Sequence, residues 1–268
     1  LRTRLTLGSV LVACAVLLFW LDRDVWPTIP STVVIILLSL AAQFEFYLMA
    51  RDDGHQPAAL LGLLMGAGWM VGIALDWPRE HFLAASVAVL LVISVLTQRV
   101  QRSPRRLGST LLGILAVPVL LSYLIHIRGI PDGWAWLVFV VAVSKAGDSC
   151  AFFVGSAFGR HKLIPAVSPK KSWEGAIASI FGGVGAGAIV AYTAFDVAPD
   201  PFIFVSAAIV TNIGAQFGDL SESLLKRGFR TKDSASLMPA FGGTFDLVDS
   251  FLLAGPAFFA VHSYLHGN

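Results

Sequence analysis

The sequence predicts an all-α, polytopic integral membrane protein with about nine transmembrane helices. Hydrophobic residues make up 56% of the 268-residue chain and charged residues only 13%, and the mean hydropathy is +0.75. A soluble domain carries about 25% charged residues, and a soluble chain this apolar would expose large apolar patches. The apolar residues also fall into successive runs of about 20, the length that spans a bilayer as a helix.

Nine such runs follow one another along the chain. We predict spans at Leu5–Leu21, Ile29–Ala50, Pro57–Leu75, His81–Thr97, Leu107–Ile127, Trp134–Gly155, Gly175–Phe195, Pro201–Gly218 and Thr244–Tyr264. The first run follows basic residues, as in a signal peptide, but no small-residue cleavage site comes after it, so we expect a retained helix. Because residue 1 is a leucine, we expect the natural chain to begin further upstream.

The basic residues predict the orientation of these spans. With the N-terminus inside, nearly all Lys and Arg residues in the loops fall on the inner side, and only Arg23, Arg79 and Arg128 fall outside. Basic loops favour the cytoplasmic side of a membrane. We therefore expect a multi-pass protein of the cell (inner, cytoplasmic) membrane. Its two longest loops, Phe158–Glu174 and Lys226–Gly243, would face the cytoplasm together with the active site.

Charge is distributed unevenly between the two halves of the chain. The spans of residues 1–127 carry almost no charge apart from Glu45, whereas those of residues 128–268 carry several acids. We predict one membrane-embedded unit, with supporting helices in residues 1–127 and catalytic helices with cytoplasmic loops in residues 128–268. The glycine-rich run at residues 182–188 has the spacing of close helix–helix contact.

Two pairs of acidic residues mark the last two spans. Asp219 and Glu222 are three residues apart, and so are Asp246 and Asp249, so each pair shares one face of a helix. Carboxylates are costly in a membrane span and usually face a polar cavity. Four of them would repel one another unless a cation is bound. Oxygen ligands suit a hard ion, so we predict Mg²⁺, with enough acids for a second cation.

Basic residues lie close to these acids in the sequence. Metal ions that bridge phosphates, with Lys and Arg neutralising the remaining charge, are typical of a polyphosphate substrate, and a membrane site suits a lipid acceptor. Basic loops alone also result from the cytoplasmic bias. Lys145 and Asp148 are three residues apart and either neutralise each other or serve the site. The candidate phosphate-binding residues are Lys170, Lys171, Lys226, Arg227 and Lys232.

Several motifs follow one another between Lys145 and Ser250. They are Gly147-Asp-Ser-Cys-Ala-Phe-Phe-Val-Gly, Phe158-Gly-Arg-His-Lys-Leu-Ile-Pro-Ala-Val-Ser-Pro-Lys-Lys-Ser-Trp-Glu-Gly, Gly218-Asp-Leu-Ser-Glu-Ser, Ser223-Leu-Leu-Lys-Arg, Lys232-Asp-Ser-Ala and Pro239-Ala-Phe-Gly-Gly-Thr-Phe-Asp-Leu-Val-Asp-Ser. In this order they resemble the motifs of the CDP-diacylglycerol synthases, also called phosphatidate cytidylyltransferases. The front half of the chain is similar only in spanning the membrane many times.

The resemblance implies a reaction of phosphatidate with CTP that gives CDP-diacylglycerol and pyrophosphate. It implies catalytic roles for Asp219, Asp246 and Lys226. The expected Mg²⁺ ligands are Asp219, Glu222, Asp246 and Asp249. The expected substrate-binding residues are Asp148, Ser168, Lys170, Lys171, Arg227, Lys232 and Asp233.

Two positions depart from the family pattern. Phe241 stands where the family has a histidine before Gly-Gly, and Leu247 stands where it has an arginine after the first aspartate. The acids and the basic residues of the motif are retained, so the metal and phosphate parts are intact. Reduced activity and a changed lipid acceptor both remain open.

Three other functions are left open by the residues. Two are enzymes, namely a CTP-dependent lipid-alcohol kinase and a cytidylyltransferase for another lipid phosphate. The third is a cation-coupled secondary transporter, in which intramembrane acids carry protons or sodium; it predicts an internal repeat, which the sequence lacks. The expected partners are CTP, phosphatidate or a related lipid phosphate, and membrane lipids, without nucleic acid. The sequence leaves a homodimer open.

Overall fold

The protein is built almost entirely of helices. The computed structural model describes residues 14, 17–78, 81–96, 103–231 and 243–266. Within them the helices are α1 (Ile29–Asp52), α2 (Ala59–Ala74), α3 (Phe82–Leu96), α4 (Ser103–Gly129), α5 (Gly133–Phe158), α6 (Trp173–Thr193), α7 (Pro201–Gly228) and α8 (Thr244–His266). A π-helical turn at Leu21–Val25 precedes α1. A second one at Leu115–Val119 lies within α4, where Pro118 cannot donate a backbone hydrogen bond.

The helices confirm an all-α, polytopic membrane protein. Among the described residues, α1, α4, α5, α6, α7 and α8 are long and apolar enough to cross a membrane, and α2 and α3 are shorter apolar helices. These eight helices match eight predicted spans. Most of the predicted span Leu5–Leu21 lies outside the described residues, so the total of nine remains a prediction.

Two features near the predicted cytoplasmic face differ from a plain helix-and-loop pattern. The loop before α6 contains an antiparallel hairpin of β1 (Lys162–Ile164) and β2 (Ser168–Ser172). Helix α7 continues for ten residues beyond the predicted end of its span at Gly218. The apolar run ends there, but Leu, Glu, Lys and Arg favour a helix and no proline interrupts it. Asp219 and Glu222 are therefore helical.

Small residues bring the helices of the front half close together. One compact unit contains the described residues of Leu1–Leu21, Ile29–Ile125 and Lys226–Val248. In this unit the buried Tyr47 hydroxyl donates a hydrogen bond to the Thr110 carbonyl at 2.8 Å, and the Gln43 amide donates one to the Gly62 carbonyl at 2.9 Å. A side chain at Gly62 or Gly113 would collide with the Tyr47 ring. Helices α1, α2 and α4 thus pack around buried polar groups.

Glycines also determine the packing of the second compact unit. It contains the described residues of Asp22–Thr28, His126–Leu225 and Asp249–Asn268. Gly183 and Gly187 of α6 face Asn212 and Phe139 with no room for a Cβ, which confirms the close helix contact predicted for the glycine-rich run. Helices α4, α7 and α8 contribute residues to both units. The functional division at residues 127 and 128 remains a prediction.

Candidate active site

Three of the four predicted metal ligands lie together in the second unit. Asp219 and Glu222 of α7 and Asp249 of α8 each offer a carboxylate oxygen, and these oxygens lie within 4.8 Å of one another. Glu222 is buried, with 2% of its surface exposed, and the two aspartates are half-buried. We call these three residues the acid cluster. Its donors are all oxygens, which fits a hard divalent cation better than a soft metal ion.

A glycine allows the two helices of the acid cluster to approach each other. A Cβ at Gly218 would lie 2.9 Å from the Ser250 carbonyl oxygen and would also collide with that of Asp249. One turn earlier, a Cβ at Gly214 would lie 2.7 Å from the Leu253 carbonyl oxygen. The sequence signal was present, because Gly214 and Gly218 have the four-residue spacing of close helix packing. This contact was not among those predicted from the sequence.

Lys171 partly neutralises the acid cluster. Its ammonium nitrogen lies 2.8 Å from Asp219 Oδ2 and donates a hydrogen bond to the Gln216 carbonyl at 3.2 Å. The next residue, Ser172, caps α6 by accepting the Gly175 N–H at 3.2 Å. The cap and strand β2 hold Lys171 at the start of α6, where it reaches α7. Lys171 is thus a predicted phosphate-binding residue that contacts the acid cluster.

The hairpin is tied to the first turn of α6. The Glu174 carboxylate accepts the backbone N–H of His161 at 3.2 Å and lies 2.7 Å from Nδ1 of the His161 ring. Within the hairpin Lys170 is exposed and Ser168 is half-buried. Their substrate-binding roles remain predictions.

Ser250 links Asp148 to the acid cluster. Its hydroxyl lies 2.9 Å from Asp148 Oδ2 and 3.0 Å from Asp249 Oδ1, and one hydroxyl hydrogen can serve only one of these acceptors at a time. The Lys145 ammonium lies 3.6 Å from Asp148 Oδ2 and 3.5 Å from Ser250 Oγ. Asp148 and Lys145 therefore form a pair, and this pair also contacts the residue next to Asp249. The pairing of Lys145 with Asp148 is thus observed, and the substrate-binding role of Asp148 remains a prediction.

Lys226 and Asp246 form an ion pair in the first unit. Lys226 Nζ lies 2.6 Å from Asp246 Oδ1, and Asp246 Oδ2 accepts the Gly243 N–H at 2.8 Å. A metal-ligand role for Asp246 remains a prediction. Arg227 is exposed at the end of α7, and Leu247 is half-buried on α8. The structure does not describe the remaining positions, which are the predicted substrate-binding residues Lys232 and Asp233 and the family departure at Phe241.

Comparisons with known proteins agree on one family. Residues 2–265 match the model of the cytidylyltransferase family. A phosphatidate cytidylyltransferase from Brucella suis biovar 1 is 32% identical over 262 residues, which cover 95% of this chain and 90% of that protein. The phosphatidate cytidylyltransferase of Bacillus subtilis is 30% identical over 85% of this chain and 87% of that protein. Phosphatidate cytidylyltransferase 4, chloroplastic, of Arabidopsis thaliana is 34% identical over 68% of this chain and 52% of that protein.

Proposed function

We propose that this chain, which belongs to the cytidylyltransferase family, transfers CMP from CTP to phosphatidate in phospholipid biosynthesis. The observation that carries the proposal is the acid cluster of Asp219, Glu222 and Asp249, with Lys171 beside it, on helices of a membrane protein. The relatives named phosphatidate cytidylyltransferase support the choice of the lipid acceptor. The products are CDP-diacylglycerol and pyrophosphate.

The reaction requires alignment of the two substrates and neutralisation of their phosphate charges rather than a strong base. A phosphate oxygen of phosphatidate attacks the α-phosphorus of CTP, a new P–O bond forms, and the bond between the α-phosphorus and the bridging oxygen breaks. Pyrophosphate leaves with that oxygen and the electron pair. The lipid phosphate is already anionic at neutral pH and is a competent nucleophile. The residues of the site then have to hold two anions in line and offset their repulsion.

The acid cluster would hold the cation that such a reaction uses. Three carboxylates that offer oxygens within 4.8 Å of one another repel each other, and a divalent ion would offset this repulsion. We propose Mg²⁺ as that ion. When bound, it neutralises charge on the phosphates of CTP. Asp246 is a further proposed ligand, and a second cation stays part of the proposal.

Basic residues would bind the phosphates directly. Lys171 is held by the hairpin and Asp219, and a flexible ammonium can exchange a carboxylate for a phosphate oxygen when substrate binds. We propose phosphate contacts also for Lys226 and Arg227, in the last turn of α7, and for Lys170 in the hairpin. A cytoplasmic orientation of these residues would give them access to CTP. The proposed location is the cell membrane, with the site facing the cytoplasm.

Pyrophosphate release separates this proposal from a lipid-alcohol kinase and from a transporter. A lipid-alcohol kinase would transfer the γ-phosphate and leave CDP, and a transporter would not consume CTP. We expect purified protein with Mg²⁺ and phosphatidate to release pyrophosphate from CTP, and faster than from ATP. Parallel assays with other lipid phosphates test whether the acceptor has changed. Release of CDP, or no pyrophosphate release with phosphatidate as the acceptor, would contradict the proposal.

A matched pair of variants tests whether the acid cluster takes part in the reaction. Asp219→Asn keeps the size of the side chain but removes one charge from the acid cluster, so we expect turnover to fall by about 100-fold or more. Asp196→Asn makes the same change at an exposed position in the loop between α6 and α7 and should leave turnover unchanged. Equal turnover of the two folded variants would show that the acid cluster has no part in the reaction.

A further inference from the structure

Glu45 of helix α1 caps the N-terminus of helix α8, which lies far away in the sequence. It is fully buried on α1, and its two carboxylate oxygens accept the N–H groups of Thr244 at 2.7 Å and Phe245 at 2.8 Å. Thr244 and Phe245 are the first two residues of α8. The first N–H groups of a helix have no acceptor within the helix, and the positive end of the helix dipole favours an anion there. The carboxylate satisfies both requirements.

The residue that follows this cap is Asp246. Its own carboxylate accepts the Gly243 N–H at 2.8 Å and pairs with Lys226 at 2.6 Å. Between them, Glu45 and Asp246 accept the N–H groups of three successive residues, from Gly243 to Phe245. The Glu45 cap therefore fixes the backbone of the turn from which the Asp246 side chain projects toward Lys226.

Helix α1 also contacts the chain that follows α7. The Phe46 ring packs edge-on against Phe229, with ring centroids 5.3 Å apart, and against Phe245 at 6.3 Å. Met49 Sδ lies 3.6 Å from the Thr231 hydroxyl oxygen. One helix thus contacts the chain just after Lys226 and the chain just before Asp246. Both partners of the ion pair are attached to the same helix.

We infer that Glu45 is a positioning residue for Asp246 and Lys226, a role that rests on the proposed function. A buried acid in an apolar span carries a large desolvation cost, which plain packing between helices does not require. Two acceptor atoms on a single side chain, aimed at two adjacent N–H groups, are what an ionised carboxylate supplies. The otherwise supporting front half therefore contributes a residue that organises the reacting half.

The test uses two substitutions that separate size from acceptor number. Glu45→Gln keeps the size but leaves one acceptor oxygen, and its NH₂ group would face a backbone N–H. Glu45→Asp keeps both acceptor oxygens on a shorter side chain. The control is Gln43→Leu, which removes buried hydrogen bonds to Tyr47 and Gly62 from the same helix. The measurements are kcat for pyrophosphate release, the melting temperature, and hydrogen exchange at residues 243–247 of the full chain in detergent.

The positioning role predicts a pattern that a structural role alone does not. In Glu45→Gln, kcat per folded molecule should fall about tenfold or more, since a hydrogen bond to a charged group is lost, and amide exchange at the start of α8 should accelerate. Glu45→Asp should retain more activity than the size-matched Gln variant. Gln43→Leu should lower the melting temperature and leave kcat unchanged.

Two outcomes would overturn the inference. One is a Glu45→Gln protein that melts earlier but keeps the wild-type kcat. The other is a Glu45→Asp protein that is less active than Glu45→Gln, because side-chain size would then decide the effect. If Glu45→Gln does not fold, the test depends on Glu45→Asp, which should then show near-normal kcat and slow amide exchange at the start of α8. Loss of either property would also overturn the inference. An inactive wild-type protein would instead overturn the proposed function, and this role with it.

Discussion

Gly218 offers a test of how closely the acid cluster depends on the spacing of α7 and α8. In Gly218→Ala the new methyl carbon would lie 2.9 Å from the Ser250 carbonyl oxygen and closer still to that of Asp249. Ordinary contact between such atoms begins at about 3.5 Å, so the helices must separate by more than about 0.5 Å. Asp219 and Asp249 lie on opposite sides of this contact and would move apart with the helices.

The size of the effect follows from the geometry that the proposed Mg²⁺ would demand. This ion requires near-ideal coordination at about 2.0–2.1 Å, and a displacement of about 1 Å near reacting groups can lower a rate on the order of 100-fold. We therefore expect kcat/KM of Gly218→Ala to fall on the order of 100-fold. Overpacking should also cost about 1–3 kcal/mol of stability, which lowers the melting temperature by several degrees.

Two control variants separate the spacing effect from general destabilisation. Gly214→Ala overpacks the same pair of helices one turn away, with a Cβ 2.7 Å from the Leu253 carbonyl oxygen. It should lower the melting temperature similarly and turnover much less. Gly185→Ala adds a methyl group at an exposed position, where no described atom beyond its own stretch of helix lies within 4 Å, and should be neutral or slightly stabilising. Pyrophosphate release is measured against Mg²⁺ concentration. Near-normal turnover and Mg²⁺ dependence in folded Gly218→Ala would refute the reasoning.

Three further predictions concern the charge of Asp246, the contacts of Ser250 and the orientation of the chain in the membrane. Asp246→Asn should lose turnover by several orders of magnitude, and its melting temperature should fall because it breaks the ion pair with Lys226; near-normal CTP turnover in a folded preparation would contradict its catalytic role. Ser250→Ala, assayed in the same way, should lower turnover about tenfold through the lost link between Asp148 and the acid cluster, and an unchanged rate would make that link incidental. A single cysteine at Ala166 in an otherwise cysteine-free chain should resist an impermeant thiol reagent in intact cells and react after lysis; labelling of intact cells would reverse the predicted orientation.

The helices could be predicted because the bilayer imposes their length and composition. Each predicted run from Ile29 onward corresponds to a helix of the described structure, since about 20 apolar residues have no other way to satisfy their backbone in lipid. Helix ends were less predictable. The charged residues after Gly218 end the apolar run but not the helix, because leaving the membrane does not require the hydrogen-bond pattern to stop. The hairpin before α6 carries no clear alternation of apolar residues, so the sequence did not reveal it.

The site was only partly predictable because spacing along one helix says nothing about partners on another. The three-residue spacing correctly placed Asp219 and Glu222 on a common face of α7, and Asp249 joins them. The sequence did not indicate that Lys171 contacts Asp219, since that contact depends on the hairpin. The sequence assigns Glu45 no partner, because the N–H groups that it binds lie about 200 positions away along the chain. Ser250 has no charge pattern that singles it out.

The two acids of α8 illustrate how one spacing pattern can serve two electrostatic purposes. Asp246 lies in the first turn, where the helix dipole, the Gly243 N–H and Lys226 all stabilise a negative charge without a metal. Asp249 lies one turn further along, beside Asp219 and Glu222, where added negative charge is unfavourable in the absence of a cation. Removing Asp246 therefore removes a stabilising contact, whereas removing Asp249 relieves repulsion. The two substitutions should shift the stability of the metal-free protein in opposite directions even if both abolish turnover.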